Sequence, residues 1–332
     1  MAATIPKTMR ALRLHRRAGA THLRDEETAV PLPAMGDVLV QVHAASFTPT
    51  ELDWPSTWVD RSGHDRRPVI PGHEVAGVVA TLGFGTSGLA VGQEVYGVTD
   101  WYRDGAAAEY VAVEARNLAP KPATVSHAQA AAAPLAGLTA WQALFVHGDL
   151  EPGQRVLVLG AAGGVGTFAV QLARWAGGHV IGTGRAGARD LVLELGAEEF
   201  VDAETGRLEE QEQVEPVDLV LDLVGGELLR RSWPTVKAGG RLVSVVAPPN
   251  PQEAERAGLQ ARYFIVEPDR AQLGELAGLI DAGRLRPIVG RAFDPGRRRQ
   301  GVRRQAGRRP SGQGGPAGRP ERGDQRVSTV TA

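Results

Sequence analysis

The run Arg155-Val156-Leu157-Val158-Leu159-Gly160-Ala161-Ala162-Gly163-Gly164-Val165-Gly166 decides the fold. Its first five residues read as a strand, the glycines as a turn, and Val165 to Trp175 as a helix. A turn that cradles a diphosphate needs this order. Missing side chains let the phosphates reach the backbone, and the unpaired N–H groups at the helix start, with the positive end of its dipole, hold their charge. A glycine turn alone is a weak signal, because many such loops are only tight turns. Here the unit recurs. His179 to Thr183 reads as a strand and Arg189 to Leu195 as a helix; Val217 to Leu223, Leu228 to Val236 and Arg241 to Val246 repeat the alternation. That pattern predicts an α/β unit, a doubly wound parallel sheet covered on both faces, with dinucleotide binding at its first turn.

The second strand runs out at Thr183-Gly184-Arg185, with Arg189 one turn further on. A site for NADH usually carries Asp or Glu there, about 20 residues past the first glycine, to bind the ribose hydroxyls. This chain offers no acid at that turn. A guanidinium suits a 2′-phosphate, so the expected cofactor is NADPH; the plain alternative is two solvated surface arginines.

Upstream the pattern changes. Asp37 to His43, Val75 to Ala80 and Gln93 to Val98 read as short strands, and glycines at 72, 77, 83, 85, 88 and 92 punctuate them as turns of a small barrel would. Ser126 is a suitable N-cap for a helix from Ala128 to Ala133; Leu138 to Val146 and Asp269 to Ala282 also read as helices. Five basic residues between Lys7 and Arg17 lack the apolar run of a targeting peptide, so this segment is expected to be a surface strand. With 332 residues and 42% hydrophobic content the chain can fill two cores. No stretch approaches the roughly 20 apolar residues of a membrane span, and a cytoplasmic location is expected. There is no cysteine. Disulfides, thiolate nucleophiles and cysteine-ligated zinc are thereby excluded.

Four segments carry a family resemblance that covers residues 10 to about 294. Pro71 to Val79 (P-G-H-E-V-A-G-V-V), Gly105 to Val111 (G-A-A-A-E-Y-V), Gly137 to Trp141 (G-L-T-A-W) and Ala161 to Gly166 (A-A-G-G-V-G) resemble, in order, segments of the medium-chain dehydrogenase/reductase superfamily. The last resembles its zinc-free quinone oxidoreductase branch. The resemblance implies a GroES-like β-barrel catalytic domain over 1–122 and a Rossmann NADPH-binding domain over 123–266. It further implies a return segment over 267–294, a homodimer, and an active site in the cleft between the domains. The cofactor-binding set it implies, with the turn, is Thr139, Ala162, Gly163, Gly164, Val165, Gly166, Thr183, Gly184, Arg185, Arg189 and Val246.

Departures from the family pattern matter equally. The two cysteine ligands of the zinc alcohol dehydrogenases fall at Thr48 and near Leu135, which strands His73 as a structural histidine rather than a metal ligand. Thr48 also replaces the asparagine usual in the quinone oxidoreductases. Without a metal, reduction of a simple carbonyl lacks its Lewis acid, whereas conjugated acceptors spread the developing charge onto an oxygen that hydrogen bonds can hold. The expected activity is therefore NADPH-dependent reduction of a quinone or an α,β-unsaturated carbonyl compound. Thr48 and Tyr102 are the candidate catalytic residues, and Trp54, Trp58 and Trp101 the candidate pocket wall; each aromatic is equally readable as packing. An enoyl-thioester reductase and a non-enzymatic NADPH-binding regulator or RNA-binding protein are the alternatives.

The net charge of −1 conceals an asymmetry: from Arg291 onward eleven arginines face three acids, leaving −9 for residues 1 to 290. The acidic body gives no reason to expect nucleic-acid binding. Residues 295–332, rich in Arg, Gly and Pro, hold only Val302, Val327 and Val330 as large apolar residues and are predicted to be disordered. Back-translated from Arg297 to Gly318 with permitted codons and read one base later, the segment can give A-V-A-R-A-F-A-A-K-Q-A-G-G-R-P-G-K-V-V-L-R-V. That is an amphipathic helix, a turn and a strand, as the family's ending requires, so a shifted reading frame is expected. Resequencing the gene checks this, and a confirmed in-frame Arg-rich tail would refute it.

Overall fold

Alternating burial along Thr8–Leu14, where Ala11, Leu12 and Leu14 are fully covered, makes the first strand (β1) a half-buried one. The basic segment expected to be a surface strand thus presents one face to a core. The computed structural model describes residues 4–17, 22–48, 50–205, 216–293 and 327–331. β1 pairs antiparallel with β2 (Leu23–Ala29). β3 (Asp37–Phe47) follows, then the single turn α1 (Pro55–Trp58), β4 (Glu74–Leu82), β5 (Glu94–Val98), β6 (Tyr110–Glu114) and β7 (Leu118–Pro120). β3 outruns the predicted 37–43 because Ala44 to Phe47 continue the strand as buried residues, three of them apolar.

Next come α2 (His127–Ala131) and α3 (Pro134–Trp141). Ser126 caps α2 through Gln129 N, and the Gln129 side chain returns the bond, so the predicted N-cap is a full capping box. α3 widens to π geometry over Gln142–His147. The alternating unit is β8 (Arg155–Leu159), α4 (Gly164–Trp175), β9 (His179–Gly184), α5 (Arg189–Glu194), β10 (Glu199–Asp202), β11 (Val217–Asp222), α6 (Gly226–Ser232), β12 (Val236–Ser244), α7 (Pro251–Arg256) and β13 (Gln260–Tyr263). The helix expected to reach Val236 stops at Ser232, because Pro234 forces a 3-10 turn that leads straight into β12.

These strands form a parallel six-stranded sheet in the order β10-β9-β8-β11-β12-β13. Val156 to Leu159 are completely buried, as a central strand covered on both faces must be. The separate sheet, β14-β15-β3-β4-β5-β7 with β6 on β3, is closed by the last two strands, β14 (Val289–Phe293) and β15 (Val327–Thr331). β15 pairs antiparallel with β3 and parallel with β14. The predicted disorder therefore does not hold for 327–331; the remainder of that tail lies outside the described residues.

The chain returns from the parallel sheet to the barrel through α8 (Arg270–Asp281), capped by Asp269 on Gln272 N. Three polar contacts fix that return. Buried Tyr96 donates its hydroxyl to Leu273 O at 2.6 Å. Gln142 donates to Glu267 O and accepts from Glu267 N. Gln171 of α4 does the same for Arg286, donating to its carbonyl at 3.1 Å and accepting from its N–H at 2.9 Å. Each glutamine replaces a missing strand partner for a backbone that would otherwise enter the interior unpaired. Gln171→Leu leaves both backbone groups of Arg286 without their partner and should cost about 1–3 kcal/mol; a urea midpoint equal to that of the parent would contradict the assignment.

Candidate active site

β8 lies in the middle of its sheet, and the chain leaves it toward β9 on one side and reaches β11 on the other. At such a switch point the helices depart to opposite faces and leave a crevice beyond the strand ends. The turn that fills it is held rigidly. Gly160 sits at φ +82°, a left-handed conformation that favours glycine. Its N–H donates to Thr183 Oγ1 at 3.2 Å, and Ala161 N donates to Thr183 O at 2.8 Å. The first α-helical bond runs from Thr167 N to Gly163 O, so the N–H groups of Gly164, Val165 and Gly166 have no acceptor inside α4, and no side chain caps the helix. A Cβ on Gly166 would stand 2.2 Å from Gly160 O, so only glycine lets α4 start this close to the turn. Unclaimed amides, a positive dipole end and no obstructing side chain fit a diphosphate.

Around this turn the sequence-derived residues take different parts. Ala162, Gly163, Gly164, Val165 and Gly166 form the cradle itself. Thr183 is fully buried and braces the cradle from below. Gly184 and Arg185 leave the end of β9; Arg185 Nε is 3.1 Å from Glu204 Oε1, with both side chains more than half exposed. Arg189 lies over the Phe200 ring and donates to Phe200 O. Val246, just past β12, is 46% exposed beside Gly225. Thr139 is buried with its hydroxyl given to Leu135 O at 2.6 Å, so it serves its own helix.

Sequence reading missed the pair that shapes the far wall. Buried Asp222 accepts from Val224 N and Gly225 N on one oxygen and from Ser244 Oγ on the other, at 3.0, 2.7 and 2.7 Å. Ser244 Oγ in turn accepts from Val246 N. An acid at a strand end three residues before Gly225 was the available signal.

The barrel side of the crevice is assembled by two buried carboxyls. Glu51 accepts from Gly72 N at 2.5 Å and Thr48 N at 3.0 Å, and Glu74 accepts from Leu135 N at 3.0 Å. They hold the end of β3, the loop before β4 and the start of α3 side by side. Burial pushes the Glu51 carboxyl up to about 8, against the pull of its backbone donors, and pushes Glu74 up to about 7. His73, 2% exposed, lies between Trp54 and Trp101, with ring centroids 6.0 and 5.4 Å away, and its Nδ1 pairs with Thr99 Oγ1 at 2.7 Å. Burial first, and the Arg66 charge second, lower its pKa to about 4, so the ring is neutral near pH 7.

Trp54 and Trp101 therefore meet, edge to face at 5.8 Å, as the sequence reading grouped them. Trp58 does not join them. It is 3% exposed in the core under β1 and donates Nε1 to Leu52 O, because one turn of α1 points it inward. Tyr102, which follows Trp101 in a tight turn, packs under the Arg61 guanidinium at 4.8 Å.

The chain resembles known proteins over most of its length. Residues 34–123 match the family model described as alcohol dehydrogenase GroES-like domain, and 195–312 the one described as zinc-binding dehydrogenase. The chain is 34% identical to the probable zinc-binding oxidoreductase, mitochondrial, of Arthroderma benhamiae, over 85% of this chain and 88% of that one. It is 32% identical to the NADPH-dependent alkenal/one oxidoreductase, chloroplastic, of Arabidopsis thaliana, over 86% and 73%. The solved structure of the quinone oxidoreductase from Coxiella burnetii superposes with a TM-score of 0.81 at 26% identity, covering 98% of this chain and 100% of that one. Zinc, which two of these descriptions name, does not fit the residues present. His73 is engaged with Thr99, Thr48 and Leu135 are not ligands, and among the described residues no three His, Cys, Asp or Glu are placed to hold a metal.

The buried acids give a stability profile with a definite sign. Glu51, raised from 4.5 to about 8, keeps in the folded chain a proton that the unfolded chain releases. Its contribution is full below pH 4.5 and lost as pH rises through 8. His73, lowered from 6.5 to about 4, acts oppositely, contributing above 6.5 and losing that contribution as pH falls through 4. Glu51→Gln should therefore flatten the decline in unfolding free energy between pH 6.5 and 8, by up to about 1 kcal/mol per pH unit. Parallel pH profiles for parent and variant would show that the carboxyl is ionised in the fold.

Proposed function

We propose that this chain, which belongs to the medium-chain dehydrogenase/reductase superfamily, reduces a quinone or an α,β-unsaturated carbonyl compound with NADPH and without a metal. The observation that carries this reading is the turn after Leu159: three backbone amides with no acceptor among the described residues at a sheet switch point, next to a strand that is followed directly by Arg185 and not by an acid. When bound, NADPH supplies a hydride to the acceptor. The chain's own residues bind and orient. Gly164, Val165 and Gly166 hold the diphosphate through their N–H groups, and Arg185 with Arg189 holds the 2′-phosphate.

On the barrel side, Trp54, Trp101 and neutral His73 form an aromatic wall, and hydrogen bonds to a charged oxygen count for more beside such apolar surface than in bulk water. Thr48 is the hydroxyl assigned to the acceptor oxygen on which negative charge develops. An unmetallated site serves conjugated acceptors best, because their charge is already spread. Support for zinc independence is the donor set around His73, and support for the acceptor class is the kinship with an alkenal/one oxidoreductase and a quinone oxidoreductase. The chain acts as a homodimer in the cytoplasm on this reading, the dimer being supported by β13, a sheet edge whose Tyr263 and following Ile265 are exposed.

Calorimetric titration should find NADPH bound more tightly than NADH, and Arg185→Ala should weaken NADPH about tenfold while leaving NADH nearly unchanged. In a chelator-treated acceptor screen, NADPH oxidation is expected with quinones and enones. Tight nucleotide binding with no turnover on any conjugated acceptor would contradict the enzymatic reading; turnover only with enoyl thioesters would move it to that class.

A further inference from the structure

Strand pairing at the sheet edge brings an acid to the cofactor-selecting arginine. β10 lies parallel to β9 with Asp202 opposite Gly184, and Ala203 N donates to Gly184 O at 2.8 Å. Ala203 is thus level with Arg185, and Glu204 follows one residue beyond it. The turn after β10 is fixed by Asp202, which accepts from Glu204 N at 3.0 Å on one oxygen and from Thr205 Oγ1 at 2.8 Å on the other. That turn directs the Glu204 side chain across to Arg185, Nε to Oε1, at 3.1 Å. Arg189, by contrast, has an aromatic ring and a carbonyl as its contacts and no carboxylate among the described residues.

We propose that Glu204 is a specificity-determining residue: it shares Arg185 with the adenosine 2′-phosphate and so narrows the preference for NADPH over NADH. The inference rests on the nucleotide reading above. A phosphate dianion arriving at Arg185 has to displace a carboxylate of the same sign or share the guanidinium with it, whereas a ribose hydroxyl meets no such competitor. Because both side chains are more than half exposed, solvent screens the pair and the effect is modest. An uncharged side chain at 204 releases Arg185 to the phosphate.

The experiment is a titration of the full chain with NADPH and NADH at low and high salt, for the parent, Glu204→Gln, Arg185→Gln and the double variant. Glu204→Gln should tighten NADPH roughly two- to fivefold and leave NADH within error. The gain should shrink as salt rises and vanish in the Arg185→Gln background. Equal NADPH affinity for parent and Glu204→Gln would overturn the proposal. So would an equal gain for both nucleotides, or a gain that survives loss of Arg185, since either would reflect net charge alone. Failure of the parent to bind either nucleotide would remove the cofactor reading itself, and this inference with it.

Discussion

The contact on which the rest depends is the approach of α4 to the end of β8. Gly166 passes so close to Gly160 O that no side chain can intervene, and Thr183 ties the turn to the neighbouring strand with its hydroxyl and its carbonyl. That packing leaves three amides with no acceptor among the described residues. A helix start without a side-chain cap is costly unless something else satisfies it, and an anion is the natural partner. Because β8 is the middle strand, the same contact sets where β9 and β11 end, and so where Arg185 and the Asp222–Ser244 pair stand.

A second constraint is electrostatic neutrality on the barrel side. Glu51, Glu74 and His73 are all buried, and burial drives each toward its uncharged form. The two acids act as acceptors for backbone N–H groups of Gly72, Thr48 and Leu135, joining segments that have no ladder partner of their own there. The result is a floor whose charge burial reduces, with backbone segments joined through its two carboxyls. Such a floor suits an acceptor whose negative charge has to be placed on one oxygen and held there by few, well-directed donors.

The parallel half was legible because its strands are short apolar runs separated by glycine turns and helices of period 3.6. β8, α4, β9 and α5 lie within a residue or two of their predicted bounds. The barrel was less so: β6, β7 and the Val327–Thr331 strand are brief, and their partners are distant in sequence. Within the candidate site, the parts that side-chain direction decides were not legible. Trp58 and Tyr102 sit in single turns whose orientation no periodicity records, and Thr139 and Thr183 spend their hydroxyls on backbone. Glu204 went unread because its relation to Arg185 exists only through the parallel register of β9 and β10.

Amide hydrogen exchange on the full chain, with and without saturating NADPH, tests the central contact most directly. Protection is expected to appear at residues 161–167, with a second region at 184–189 that NADH protects less. Unchanged exchange across 161–167 at saturation, or protection confined to other parts of the chain, would show that the amides at the start of α4 do not hold the diphosphate.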